Sequence, residues 1–220
     1  MNTSIIIQHL ENIISSNKNI GVLCSGGLDS GVLIFLLLKL SKEKNTDNRI
    51  KIFTVPRIDD SLVHSTAIVF YLQEKFNIQL EHVAVGNIKF PDASRQIISG
   101  IFEALGDRSL NMVLAADTKV PDFELITGQQ NPERVRGKML NYDQPFFDYT
   151  KDYTVKLGID NGADEIFQIS HSCVTLTKGK CNTCWWCKER EWAFFKNNYT
   201  DPGTKRLNGK TLTAPAGSFS

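Results

Sequence analysis

The chain has 220 residues, 25 Lys+Arg against 24 Asp+Glu, and a formal net charge of +1. Hydrophobic content of 41% and charged content of 22% exclude wholesale disorder, and the length suits one core-forming domain with an appendage rather than two full domains. The longest apolar run, Val32 to Leu38, is far too short to cross a membrane. Met1-Asn2-Thr3-Ser4 has no basic region of a signal peptide, so a cytoplasmic protein is expected, and the near-neutral balance argues against one held on nucleic acid by charge alone.

In chain order, apolar residues at helical spacing predict an amphipathic helix over Ser4 to Ser16. Ile20 to Cys24 reads as a short buried strand that runs into Ser25-Gly26-Gly27. Gly31 to Leu40, apolar on nearly every face, suits a helix buried against a sheet. A second strand is expected over Lys51 to Val55, a helix from Ser61 to about Phe76, and a third strand over Ile78 to Val85. Pro91 opens a helix through Leu105, and Asn111 to Ala116 is a fourth strand. Asp117 to Gln144 reads as a long, partly helical excursion, of the kind that is more often functional than idle. A helix over Asp148 to Asn161, a fifth strand over Glu165 to Ile169 and a helix over Lys188 to Lys196 complete the set; the tail Thr200 to Ser220 is polar and expected to be loosely ordered. Alternating strands and helices predict an α/β fold, a parallel five-stranded sheet with helices on both faces. Such sheets bind ligands at the carboxyl ends of their strands, here at Ser25.

The segment Cys24-Ser25-Gly26-Gly27-Leu28-Asp29-Ser30-Gly31 joins that first strand to a helix. Its glycines permit close backbone approach and positive φ, and a helix start aims free N–H groups at an anion. Ser25 and Ser30 add hydroxyls. Asp29 repels phosphate unless a Mg²⁺ ion lies between them; alternatively the segment is a plain glycine turn with Asp29 capping the helix. No Walker loop or dinucleotide fingerprint is present.

Four of the five cysteines form Cys173-x₇-Cys181-x₂-Cys184-x₂-Cys187. Without an export signal these suggest a metal site rather than disulfides, and four sulfurs favour a closed, structural zinc site, with an iron–sulfur cluster as the rival. Cys24 alone reads as a small core residue. Trp185 and Trp186, set between two of these cysteines, serve packing, or one of them stacks on a planar ligand or partner.

Ser25-Gly26-Gly27-Leu28-Asp29-Ser30 resembles the PP-loop of the N-type ATP pyrophosphatases. Combined with the cysteine knuckle, with Pro145-Phe146-Phe147 followed by the Lys151-bearing helix, with Ser170-His171-Ser172-Cys173 and with Cys181 through Arg190, the chain resembles the 7-cyano-7-deazaguanine synthases over about Ile20 to Asn197. It departs from that pattern at Val55 to Asp60, at Pro91 to Gln96 and at Ala115-Ala116, which flank the substrate side.

The resemblance implies an adenine nucleotide alpha hydrolase-like, Rossmann-like fold. It divides the chain into a PP-loop domain over 1–172, a zinc-binding knuckle and helix over 173–199, and a tail over 200–220. It implies ATP, Mg²⁺ and Zn²⁺ as cofactors, with nucleotide contacts along Cys24, Ser25, Gly26, Gly27, Leu28, Asp29, Ser30, Gly31, Val32, Leu33 and Ile34. Asp29, Ser30 and Lys151 take catalytic roles, Lys151 on phosphate charge and Arg95 as a weaker candidate, while Cys173, Cys181, Cys184 and Cys187 hold the zinc. The implied reaction converts 7-carboxy-7-deazaguanine and ammonia to the nitrile through adenylated intermediates, releasing AMP and pyrophosphate, in a homodimer with no stable nucleic-acid or membrane partner. An amide-forming relative, a tRNA-thiolating enzyme whose cysteines carry a cluster or sulfur, and a nucleic-acid-binding module built on the knuckle are the alternatives. His64, His82 and His171 read as ordinary structural histidines.

Overall fold

A computed structural model describes residues 4–203. The expected tail falls largely outside them. Helix α1 (Ser4–Ser16) forms as its spacing predicts and buries Ile6, Leu10, Ile13 and Ile14. Strand β1 (Asn19–Leu23) feeds the glycine loop, and α2 (Leu28–Glu43) begins a turn earlier than its apolar run suggests. Then follow β2 (Arg49–Thr54), α3 (Ser61–Phe76), β3 (Glu81–Ala84), α4 (Ala93–Leu105) and β4 (Met112–Leu114). The short β5 (Tyr142–Asp143), α5 (Lys151–Asn161), α6 (Asp164–Ile169) and α7 (Trp185–Lys196) end the described chain.

The five strands are all parallel, in the order β3-β2-β1-β4-β5. Successive residues of a strand point to opposite faces, and the core divides accordingly. Ile52 and Leu114 join the large cluster around α2, whereas their neighbours Phe53 and Val113 join Val85 and Ala104 in a smaller cluster beneath α4. Helices therefore cover both faces, as the alternation of elements requires. Among the described residues no helix is long and apolar enough to cross a membrane.

Two expectations are corrected. Glu165 to Ile169 is not a strand but lies in α6. Gly162 closes α5 in the left-handed region at φ 75°, and Asp164 and Glu165 then place carboxylates in the first turn of the next helix, where the helix dipole favours them. A Cβ on Gly158 would stand 2.4 Å from the Phe167 ring, so the missing side chain on α5 is what admits Phe167 into the core. A short apolar run does not distinguish strand from helix by period alone, and here the packing of Ile166 and Phe167 decides.

The second correction concerns the excursion. Asp117 to Gln144 contains no helix, and near its far end lies the fifth strand of the sheet, Tyr142–Asp143, paired to Val113 and Leu114. Side chains hold it in place of secondary structure: Asn131 Nδ2 donates to the carbonyls of Pro121 (3.0 Å) and Phe123 (2.7 Å), and Gln144 Nε2 donates to Asp117.

Candidate functional site

At the carboxyl ends of the strands lies a cavity of about 590 Å³, within the usual range for small-molecule sites. Its lining includes Ser25, Gly27, Asp29 and Ser30 from the loop, Lys151 from α5, Arg134 and Asp117 from the excursion, and Cys173 and Trp186 from the knuckle. The two motifs that stand at opposite ends of the sequence thus share one wall.

The loop is shaped by its neighbours. Gly26 has φ 77°, and a Cβ there would lie 2.5 Å from His64 Cβ and 2.8 Å from the Ser65 nitrogen, so α3 rather than a ligand demands this glycine. The Gly26 carbonyl accepts the His171 N–H at 2.9 Å, tying the loop to the segment that leads into Cys173. Gly27 occupies the N-cap of α2 and no side chain caps the helix; the Gly31 N–H is the first to close back, onto the Gly27 carbonyl at 3.1 Å. The preceding N–H groups are those a helix leaves for an anion. Ser25 Oγ accepts from the Gly27 N–H at 3.3 Å, and Ser30 Oγ donates to the Gly27 carbonyl at 3.2 Å.

Asp29 is not the helix cap. Its Oδ2 lies 2.8 Å from Lys151 Nζ, while its Oδ1 is buried without a hydrogen-bond partner among the described residues. An unpartnered buried carboxylate oxygen beside a row of anion-seeking N–H groups is a hard oxygen donor of the kind Mg²⁺ takes, so the residues present fit a magnesium–polyphosphate ligand. Lys151, far from being a solvated helix lysine, is 4% exposed and also pairs with Glu189 at 2.9 Å. Burial pushes the Lys151 pKa down, but Asp29 and Glu189 outweigh it and hold the ammonium above the ordinary lysine range.

The remaining expected nucleotide contacts divide. Cys24, Leu28 and Ser30 line the cavity, whereas Val32, Leu33 and Ile34 are 0% exposed in the core and do not reach it. Gly31 is likewise buried, its vacant Cβ position only 2.7 Å from Ile166 Cγ2, so it serves the packing of α2 on α6. Arg95 is exposed, pairs with Asp92 at 3.3 Å and does not line the cavity, although its neighbour Ser94 does.

The sulfur atoms of Cys173, Cys181, Cys184 and Cys187 all lie within 4.8 Å of one another. Four zinc–sulfur bonds of about 2.3 Å in a tetrahedron separate the sulfurs by roughly 3.8 Å, so the cluster suits a single shared ion. Cysteines that each bind a different iron of a cluster must stand farther apart. Burial raises the Cys181 thiol, but hydrogen bonds from Thr183 and from the Cys184 N–H (3.2 Å) overcome it and hold its pKa below the ordinary cysteine range. Trp185 is buried, its Nε1 donating to Asn131 Oδ1 at 2.8 Å, while Trp186 is 37% exposed and faces the cavity.

Three groups at the site carried no signal in the sequence. Glu189 is an ordinary helix residue by pattern, yet it is 0% exposed and bonded to two cations. Arg134 lies in a stretch without period. His64 and His171 stack at 4.0 Å with an interplanar angle of 8°; burial and the His171 imidazole push His64 below the ordinary histidine range. Their Nε2 atoms donate to the carbonyls of Thr177 (3.0 Å) and Leu176 (2.8 Å), so the pair braces the segment between Cys173 and Cys181 against α3.

No protein-family model matches the chain, and no curated protein does. Among solved structures it is similar to the U34-tRNA thiolase NcsA from Methanococcus maripaludis with its 4Fe-4S cluster, at 12% sequence identity and a TM-score of 0.44. That match covers 88% of this chain and 72% of the other.

Proposed function

We propose that this chain is a PP-loop ATP pyrophosphatase that activates a carboxylate by adenylation, with 7-carboxy-7-deazaguanine as acceptor and ammonia as nucleophile. The observation that carries the reading is the convergence, in one cavity, of an uncapped helix start, an unpartnered Asp29 oxygen and a buried Lys151. The acceptor itself comes from the motif resemblance.

In this mechanism a carboxylate oxygen attacks the α-phosphorus of ATP, the bond to the bridging oxygen breaks, and pyrophosphate leaves. Ammonia then attacks the acyl carbon and AMP departs, leaving the amide; a second ATP adenylates the amide oxygen with release of pyrophosphate, and AMP leaves with that oxygen as the nitrogen loses its protons, giving the nitrile. The protein supplies position and charge rather than covalent chemistry. The α2 N–H groups and Lys151 take the pyrophosphate. Asp29 is the protein oxygen that would hold Mg²⁺, which neutralises the charge developing on the leaving group. Trp186 and the apolar residues Val55, Ile97 and Ile101 give a planar acceptor a wall to lie on. Zinc at the four cysteines would be structural, fixing the segment that carries Cys173 and the start of α7.

The test is mass spectrometry of the protein incubated with ATP, Mg²⁺, ammonium and 7-carboxy-7-deazaguanine. Nitrile with AMP supports the whole reading, and amide with AMP supports an enzyme that stops one step earlier. AMP absent under every condition overturns adenylation.

A further inference from the structure

Arg134 comes from the excursion, Lys151 from α5, and both line the cavity. Behind them, absent from the lining, stands Glu189. One carboxylate holds both cations: Lys151 Nζ at 2.9 Å from Oε2, and Arg134 Nη2 at 3.1 and 3.2 Å from Oε1 and Oε2. None of the three is a surface group, their side chains being 5%, 19% and 0% exposed for Lys151, Arg134 and Glu189. The guanidinium is fixed from two further sides. Its Nη1 donates to the Thr118 carbonyl and to Thr118 Oγ1 (2.6 Å), and its carbon lies 5.3 Å over the ring of Trp185.

We propose that Glu189 is a positioning residue and Arg134 a binding residue of a two-cation receptor, in which Glu189 holds the Arg134 guanidinium beside Lys151 Nζ to take the pyrophosphate end of the nucleotide. The inference rests on the reading of the loop as a nucleotide site and adds to it the residues that read the leaving group.

The electrostatics require such a carboxylate. Two cations side by side in a poorly solvated wall repel each other, and a carboxylate shared between them removes the repulsion while leaving their outer faces to a ligand. With Asp29 included, the cluster is neutral, two positive groups against two negative, so a polyphosphate that brings a divalent cation for Asp29 matches it better than a bare anion. Thr118 engages Nη1 and Glu189 engages Nη2, so it is the Nε edge of the guanidinium that is left to donate to a phosphate oxygen, beside the Lys151 ammonium. Glu189 also lies two residues beyond Cys187 on α7, so the helix anchored by the cysteine cluster is the one that aims the receptor.

The experiment is calorimetric titration of the full chain with magnesium pyrophosphate, using the wild type, Arg134→Gln, Glu189→Gln and the double variant. Arg134→Gln and Glu189→Gln are each expected to bind about tenfold more weakly, the loss of one charge-assisted contact. Because Glu189 acts through Arg134 and Lys151, the double variant is expected to lose no more than Glu189→Gln alone. Glu189→Asp, which keeps the charge, is expected to recover part of the loss, a rescue that a purely structural role would not give. Unchanged affinity in Arg134→Gln, or losses that multiply to about a hundredfold in the double variant, overturns the proposal. If Glu189→Gln does not fold, Arg134→Gln alone decides by the same affinity. Wild-type protein that binds neither ATP nor pyrophosphate overturns the nucleotide reading and the receptor with it, whereas wild-type binding with unaffected variants overturns the receptor only.

Discussion

Lys151 Nζ stands 2.8 Å from Asp29 Oδ2, an ion pair between residues 122 positions apart that joins the first turn of α2 to the first turn of α5. The pair is poorly solvated on both sides, with side-chain exposures of 5% and 15%. It fixes the carboxylate so that its second oxygen has no hydrogen-bond partner among the described residues. The same lysine thus ties α2, α5 and α7 together and, in the proposed reaction, would also meet the ligand.

Replacing that lysine should therefore damage both. Lys151→Met leaves Asp29 without its cation and removes one of Glu189's two, and breaking a buried pair from one side costs about 3 kcal/mol. Urea unfolding of the variant measures the loss, and pyrophosphate release in the presence of ATP measures turnover. Full stability with lost turnover would show that the pair matters only to the ligand.

The cysteine cluster should hold one metal ion per chain. Metal analysis of the purified protein is expected to give a single zinc, and the solution should be colourless, whereas a brown chromophore would mean a cluster in place of the single ion. Cys184→Ser should lose the ion and lower the melting temperature. It should also weaken nucleotide binding, since α7 carries Glu189.

The two neighbouring tryptophans should separate cleanly. Trp185 is 2% exposed and hydrogen-bonded, so Trp185→Ala should cost about 3 kcal/mol or more of stability. Trp186→Ala should leave the unfolding midpoint nearly unchanged and raise KM for the acceptor. Denaturation curves and steady-state kinetics on the two variants check this, and equal effects of both on stability would contradict it.

A pH-dependent contribution is expected far from the cavity. The Ser109 hydroxyl and the Lys51 ammonium (2.9 Å) together hold the Asp107 pKa at about 2. A carboxylate depressed in the folded state stabilises above its unfolded pKa, and that contribution is lost as pH falls through the folded value. Asp107→Asn should then be less stable than the parent by about 1 kcal/mol at neutral pH, the scale of a partly exposed pair. The gap should close between about pH 4 and pH 2. Thermal unfolding of both proteins across that range reads the difference.

The sequence alone determined most of the element order, the glycine loop at the end of β1 and the four cysteines, because these rest on local signals: apolar period, turn residues, ligand spacing. Helix α1 matches its prediction residue for residue. The misread segment Glu165 to Ile169 is short enough that period is silent, and the close fit of Phe167 against Gly158 made it a helix. The excursion Asp117 to Gln144 was legible as a segment worth watching, though it was read as partly helical, and not as the carrier of Arg134, since nothing local distinguishes an arginine that will be buried on Trp185 from one in water. Tertiary structure alone decided that Lys151, Asp29, Glu189 and Arg134 meet. Four charges drawn from four segments satisfy one another only when a parallel sheet sets the ends of its strands, and the helices that follow them, around a single cavity.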